Sequence, residues 1–151
     1  VSYSRYYIRY QIQEMLRIEK TFEVAGIQEE LDAYNPLIPD GDNWKCTMLM
    51  QYPEIEERKA RLSDLVDIEN RVWVQIADSL KVYAVADEDL NRANDVKTSS
   101  VHFLRFQFDA ERVAAMRSGG SITFGIDHRK YPVHDFLVKE SVRWALVSDI
   151  I

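Results

Sequence analysis

Apolar residues recur at helical spacing near the start of the chain. At about 100° per residue, Ile8, Ile12, Met15, Ile18 and Phe22 share one arc. The pattern predicts a helix from Tyr6 to Val24, built of good helix formers with no interior glycine or proline. Gly26 then breaks or bends it. Ile27, Leu31 and Tyr34 at i, i+4, i+7 predict a shorter helix, Ile27 to Tyr34, which Asn35 and Pro36 end. The PLIPDGDN stretch reads as a loop.

Alternation takes over from Trp44 to Tyr52, where Trp44, Cys46, Met48 and Met50 fall on one strand face. Pro53 suits the first turn of a following helix, with Glu54, Glu56 and Glu57 ahead of Arg58, Lys59 and Arg61 as the helix dipole prefers. Strands are predicted at Arg71 to Ile76 and Lys81 to Ala86, joined as a hairpin by the link from Ala77 to Leu80. The polar stretch Asp87 to Ser100 is the longest irregular segment, of a length usually kept for functional or mobile loops, unless a helical turn at DEDLNR shortens it. Val101 to Phe108 is a further strand, and Asp109 caps a helix running to Arg117. A strand from Ser121 to Asp127, the HRKYP loop and a helix from Leu137 to Ile150 complete the order. In that helix Val138, Val142, Ala145 and Leu146 are the expected cover for the sheet. Trp144, Val147 and Ile151 lie off that face, toward the first helix or another subunit. The expected fold is one α+β domain, residues 1–151, with a largely antiparallel sheet of about five strands packed by helices.

One residue breaks the pattern. Glu19 falls on the apolar arc of the first helix, between Met15 and Ile12, and Glu23 follows one turn later on its flank. A carboxylate facing a core must be paired, hydrogen-bonded, metal-bound or protonated, because burying it alone costs several kcal/mol. Two carboxylates at i, i+4 can hold a hard cation or divide acid and base roles. The structural alternative is an ion pair with Arg5, Arg9 or Arg105. A di-metal helical site would add a Glu-x-x-His motif, and none occurs. His102 shares a strand face with Leu104, Phe106 and Phe108, where a hydrogen-bonded core histidine is the bland reading and a ligand the sharp one. His128 and His134 flank Tyr131-Pro132 at a spacing that matches no compact metal signature, although with Asp127 they could line a pocket. The catalytic candidates are therefore Glu19, Glu23 and His102, and the metal candidates add His128. No cofactor is evident, and a divalent metal is the one such group these residues would suit.

Composition narrows the classes. Hydrophobic residues make up 46% and charged residues 29%, ordinary globular usage. No apolar run reaches the length of about 18 residues that a spanning helix needs. The single Cys46 excludes an internal disulfide and a cysteine-ligated cluster within one chain, and a cytoplasmic home is expected. A net charge of −6 argues against a general nucleic-acid binder, although the tyrosine- and arginine-rich start VSYSRYYIRY could touch an acidic partner. Lys97-Thr98-Ser99-Ser100 has no glycine frame for a phosphate loop, and no GxSxG, HExxH or GxGxxG occurs. The chain has no initiator Met, so a fragment or processed product is expected.

The strings QIQEMLRIEK, QEELDAYNPLIPDG and DVKTSSVHFLRF, with IDHRKYP near the end, resemble a bacterial domain-of-unknown-function family, DUF3501, over nearly the whole chain. At His128-Arg129-Lys130 the chain departs from the shorter His-Pro-like step expected there. Family members carry an additional amino-terminal segment, so a site built partly from it would be incomplete here. The family has no assigned activity or catalytic residues. Its genes tend to lie beside those for rubrerythrin-like proteins and iron–sulfur oxidoreductases. The resemblance thus implies an accessory part in redox or peroxide defence. The first expectation is a protein that works by binding a protein partner, such as one of these, or by forming a homo-oligomer. The second is a metal- or small-molecule-binding enzyme using a Glu/His site.

Overall fold

A computed structural model describes residues 4–89 and 91–150. The first helix, α1 (Arg5–Glu19), starts where the Ser4 hydroxyl accepts the Tyr7 N–H at 3.2 Å. It stops at Lys20, which turns left-handed (φ 53°), so that the Lys20 and Thr21 N–H groups both donate to the Leu16 carbonyl. The helix predicted to Val24 therefore ends five residues earlier, and Gly26 is not what ends it. Gly26 instead lies inside α2 (Val24–Tyr34), where a Cβ would come within 2.5 Å of Thr21 Cγ2. Its lack of a side chain lets the connection pack tightly against the second helix.

Two antiparallel sheets make the body. β1 (Asn43–Leu49) pairs along its length with β5 (Val101–Gln107), and β4 (Val85–Ala86) flanks β5 on the other side. In the second sheet, β2 (Val72–Ile76) lies between β3 (Val82–Tyr83) and β6 (Ile122–His128), and β7 (Tyr131–Leu137) forms the outer edge. The Ala84 N–H donates to Val72 O at 2.9 Å, so residues 82–86 act as one bent strand that leaves β2 and joins β5. The sheets are thus joined at a corner and enclose a core of Trp44, Val74, Ile76, Phe106 and Ile122, each at most 2% exposed. Alternation predicts these faces correctly: Val72, Val74 and Ile76 point inward together, as do Trp44, Leu104 and Phe106.

Three further helices follow among the described residues: α3 (Ile55–Asp64), which buries no residue, and α4 (Ala110–Arg117), capped by the Asp109 carboxylate on the Arg112 N–H, and α5 (Glu140–Ser148), which bury Met116 and Leu146. α5 is fixed by the Trp44 indole N–H, which donates to Leu146 O at 3.0 Å, and by Val138, Leu146 and Ile150 in the core. No helix among the described residues is long and apolar enough to cross a membrane.

The α+β class and antiparallel pairing stand, but among the described residues seven strands in two sheets replace about five in one. The main omission is β7. HRKYP is not a loop: Arg129 and Lys130 make a tight turn, and Tyr131–Leu137 returns along β6 with a bulge opposite Gly125, where Asp135 takes φ 48°. A strand whose side chains are nearly all exposed carries little alternation to read. The last helix consequently starts at Glu140 rather than Leu137. Val142 and Trp144 remain exposed, Val147 packs on the core, and Ile151 falls outside the described residues.

Candidate functional site

Glu19 is exposed, and no hydrogen bond or ion pair engages it among the described residues. Its azimuth is that of the buried stripe, but the stripe runs past the body: Ile8 and Ile12 are buried, Met15 is half-buried, and Ile18 is 63% exposed. A helical face is dry only where something covers it, and the last turn of α1 projects beyond its cover. Glu23, the residue before α2, is also exposed and makes no capping bond. Arg105 does not reach either carboxylate. It holds Glu88 in a two-point bridge, both contacts 2.8 Å, and keeps that carboxyl below the usual range. His128 is half-buried, its Nε2 on Val66 O at 3.0 Å and its Nδ1 accepting the Lys130 N–H at 3.2 Å, so it locks the β6–β7 turn. His134 is exposed on β7.

His102 is the candidate with a built environment. Its side chain is fully buried in β5 and faces the gap between the bent strand and the short 3-10 turn Ile68–Asn70. Nδ1 lies 2.6 Å from Asp87 Oδ2. Nε2 lies 2.8 Å from Thr98 Oγ1 and 3.1 Å from Ser99 O. The Thr98 hydroxyl in turn donates to Glu69 Oε2 at 3.0 Å, and that oxygen is 3.8 Å from the ring. Both ring nitrogens therefore have hydrogen-bond partners.

Asp87 supplies more than the ring contact. It sits in the left-handed region (φ 51°), which aspartate tolerates better than most residues. Its N–H donates to Phe103 O, its Oδ1 accepts the Phe103 N–H at 2.9 Å, and Arg92 Nε lies 3.4 Å away. The carboxylate thereby extends the β4–β5 ladder by one rung after the backbone has turned away. Asp87 begins the long irregular segment, and Thr98 and Ser99 end it. His102 binds both ends, and Glu69, from the 3-10 turn that precedes β2, holds Thr98. A shallow polar cleft of about 380 Å³ opens beside this clasp, lined by Glu69, Asn70, Asp87, Glu88 and Asn91.

The clasp holds a loop; it does not present a reactive group. The ring has no free edge, and Glu19 and Glu23 are not among its contacts. Among the described residues no three His, Cys, Asp or Glu side chains are grouped to hold a metal ion. Cys46 is similarly poor as a nucleophile, because burial pushes its thiol up to about 11. Sequence reasoning singled out His102 but missed Asp87, Thr98 and Glu69. The one available signal was an unusually long polar segment that starts and ends beside the histidine's strand.

These features define a class: an α+β domain of two antiparallel sheets joined by a bent strand, with a buried histidine–carboxylate clasp and a helical hairpin at its side. The chain belongs to the family described as "Protein of unknown function (DUF3501)", whose model matches residues 4–150. It is similar to a solved structure of a novel protein of unknown function from Burkholderia pseudomallei K96243. The two are 44% identical with a TM-score of 0.89, over 100% of this chain and 78% of that one. No curated protein matches.

Proposed function

We propose that the domain is an accessory protein that acts by docking onto another protein through β7 and α5. The observation that carries this is the exposure of Phe136 (62%), Leu137 (62%), Val142 (49%) and Trp144 (63%) within nine residues of chain. Large apolar side chains left in water this close together in the chain are the material of an interaction surface. β7 is also an edge strand. Pro132 and the bulge at Asp135 blunt it, as edge strands usually require, but among the described residues nothing comparable shields Phe136 and Leu137. Arg143 lies over the Trp144 ring (4.9 Å), which orients an aromatic anchor flanked by a cation.

The proposed setting is redox or peroxide defence, with a rubrerythrin-like or iron–sulfur protein as partner, and it rests on the resemblance alone. A metal- or small-molecule-binding enzyme built on Glu19, Glu23 and His102 draws no support from the geometry, since these residues do not meet. The test is a titration of immobilised chain with each purified partner class. Trp144→Asp and Phe136→Asp should each weaken binding at least about 30-fold, as expected for truncated aromatic anchors. Binding unaffected by both substitutions would place the interface elsewhere.

A further inference from the structure

The helical hairpin buries little of its surface. Only Ile8 and Ile12 of α1 are buried, and no residue of α2 is. Between the helices runs an apolar cleft of about 510 Å³, floored by Ile12, Leu16, Ile27 and Leu31. At its end stands Phe22, 78% exposed, followed by Val24 at 83%. A knob and a hole of matching chemistry therefore lie side by side on one surface.

The charges of the two helices are opposite. α2 carries Glu29, Glu30 and Asp32 and no cation. α1 carries Arg5, Arg9 and Arg17, with Lys20 just beyond it, against Glu14 and Glu19. Glu14 is already occupied by Arg17 at 2.8 Å, and Arg9 and Arg17 border the cleft. A partner of uniform charge would satisfy one helix and be repelled by the other. A second copy turned by a two-fold axis is suited to both, because α1 of each copy then lies across α2 of the other.

We infer that the hairpin is a self-association surface whose occupant is a second copy of this chain. Phe22 of each copy enters the other's cleft, and the two hairpins form an antiparallel four-helix bundle. Knob and hole on the same patch meet the requirement of an isologous interface, in which one surface is complementary to itself. The hairpin shares no residue with the β7–α5 face, so the pairing stands whether or not that face docks a partner.

Sedimentation velocity on the full chain across the micromolar range tests the assignment. The native chain should sediment as a dimer, and Phe22→Asp as a monomer with an unchanged circular-dichroism spectrum. Two charge variants give a sharper readout. One has Arg9→Glu and Arg17→Glu, making both helices acidic; the other has Glu29→Lys, Glu30→Lys and Asp32→Lys, making both basic. Each should be monomeric alone, and an equimolar mixture should recover the dimer, because each acidic helix then faces a basic one. Trp144→Asp should leave the dimer intact. A native chain that stays monomeric overturns the inference, as does a dimer indifferent to Phe22→Asp. A monomer that uses Phe22 to hold a different protein overturns it equally.

Discussion

His102 joins the two ends of the longest irregular segment, and its removal should cost far more than that of any other polar residue on β5. His102→Ala removes the buried ring that bonds the Asp87 carboxylate and the Thr98 hydroxyl, and leaving buried polar groups short of a partner costs about 1–3 kcal/mol each. Glu19→Gln should change stability by less than about 0.5 kcal/mol, as for other exposed positions. Urea denaturation of both variants checks the contrast, and comparable losses would mean that Glu19 is held by something not seen here. The carboxylates also set an acid limit. Asp40 is held below the usual carboxylate range by Asn43 and then Lys45, and Glu88 is held there by Arg105. A depressed carboxyl contributes stability that is fully present above its unfolded value and is lost as pH falls through the folded one. Stability should therefore decline below the ordinary carboxylate range, and Asp40→Asn with Glu88→Gln should flatten part of that decline. The effect will be small, because both side chains are solvent-screened (67% and 51% exposed). Denaturation midpoints measured from neutral pH downward report it.

Elements whose faces are buried on one side were legible in the sequence. β1, β2, β5 and β6 stand close to where alternation puts them, and the β2 hairpin and the Asp109 cap are where turn and capping chemistry put them. The rest was hidden for physical reasons. β7 has no buried row to alternate, and the bend at Ala84 depends on two sheets that local pattern cannot show. Glu19 misleads because periodicity gives an azimuth and not the presence of a neighbour. The clasp joins residues 69, 87, 98 and 102, and no spacing rule connects them. Trp73 and Gly125 give the element-scale prediction. The Trp73 ring, 1% exposed, lies over Gly125 with Lys81 Nζ 4.0 Å from its ring centre, and a Cβ on Gly125 would fall 2.1 Å from a ring atom. Gly125→Ala should then destabilise by about 2 kcal/mol or more through overpacking of the β2–β6 pair. Thermal unfolding checks this, and a neutral substitution would show that the ring can step aside.

At the scale of the molecule, the chain buries its histidine–carboxylate cluster and leaves several large apolar side chains outside the core. The buried histidine ties down a loop, while Phe22, Phe136, Leu137 and Trp144 face water. The hairpin and the β7–α5 face share no residue, so the two proposed contacts, one with a second copy and one with another protein, can be tested separately. The most direct test of the docking role is hydrogen exchange on the chain alone and saturated with a purified rubrerythrin-like or iron–sulfur protein. Amides of residues 133–144 should slow markedly in the complex, while those around His102 stay as they are. Unchanged exchange across β7 and α5, or protection centred on the cleft beside Asp87, would contradict it.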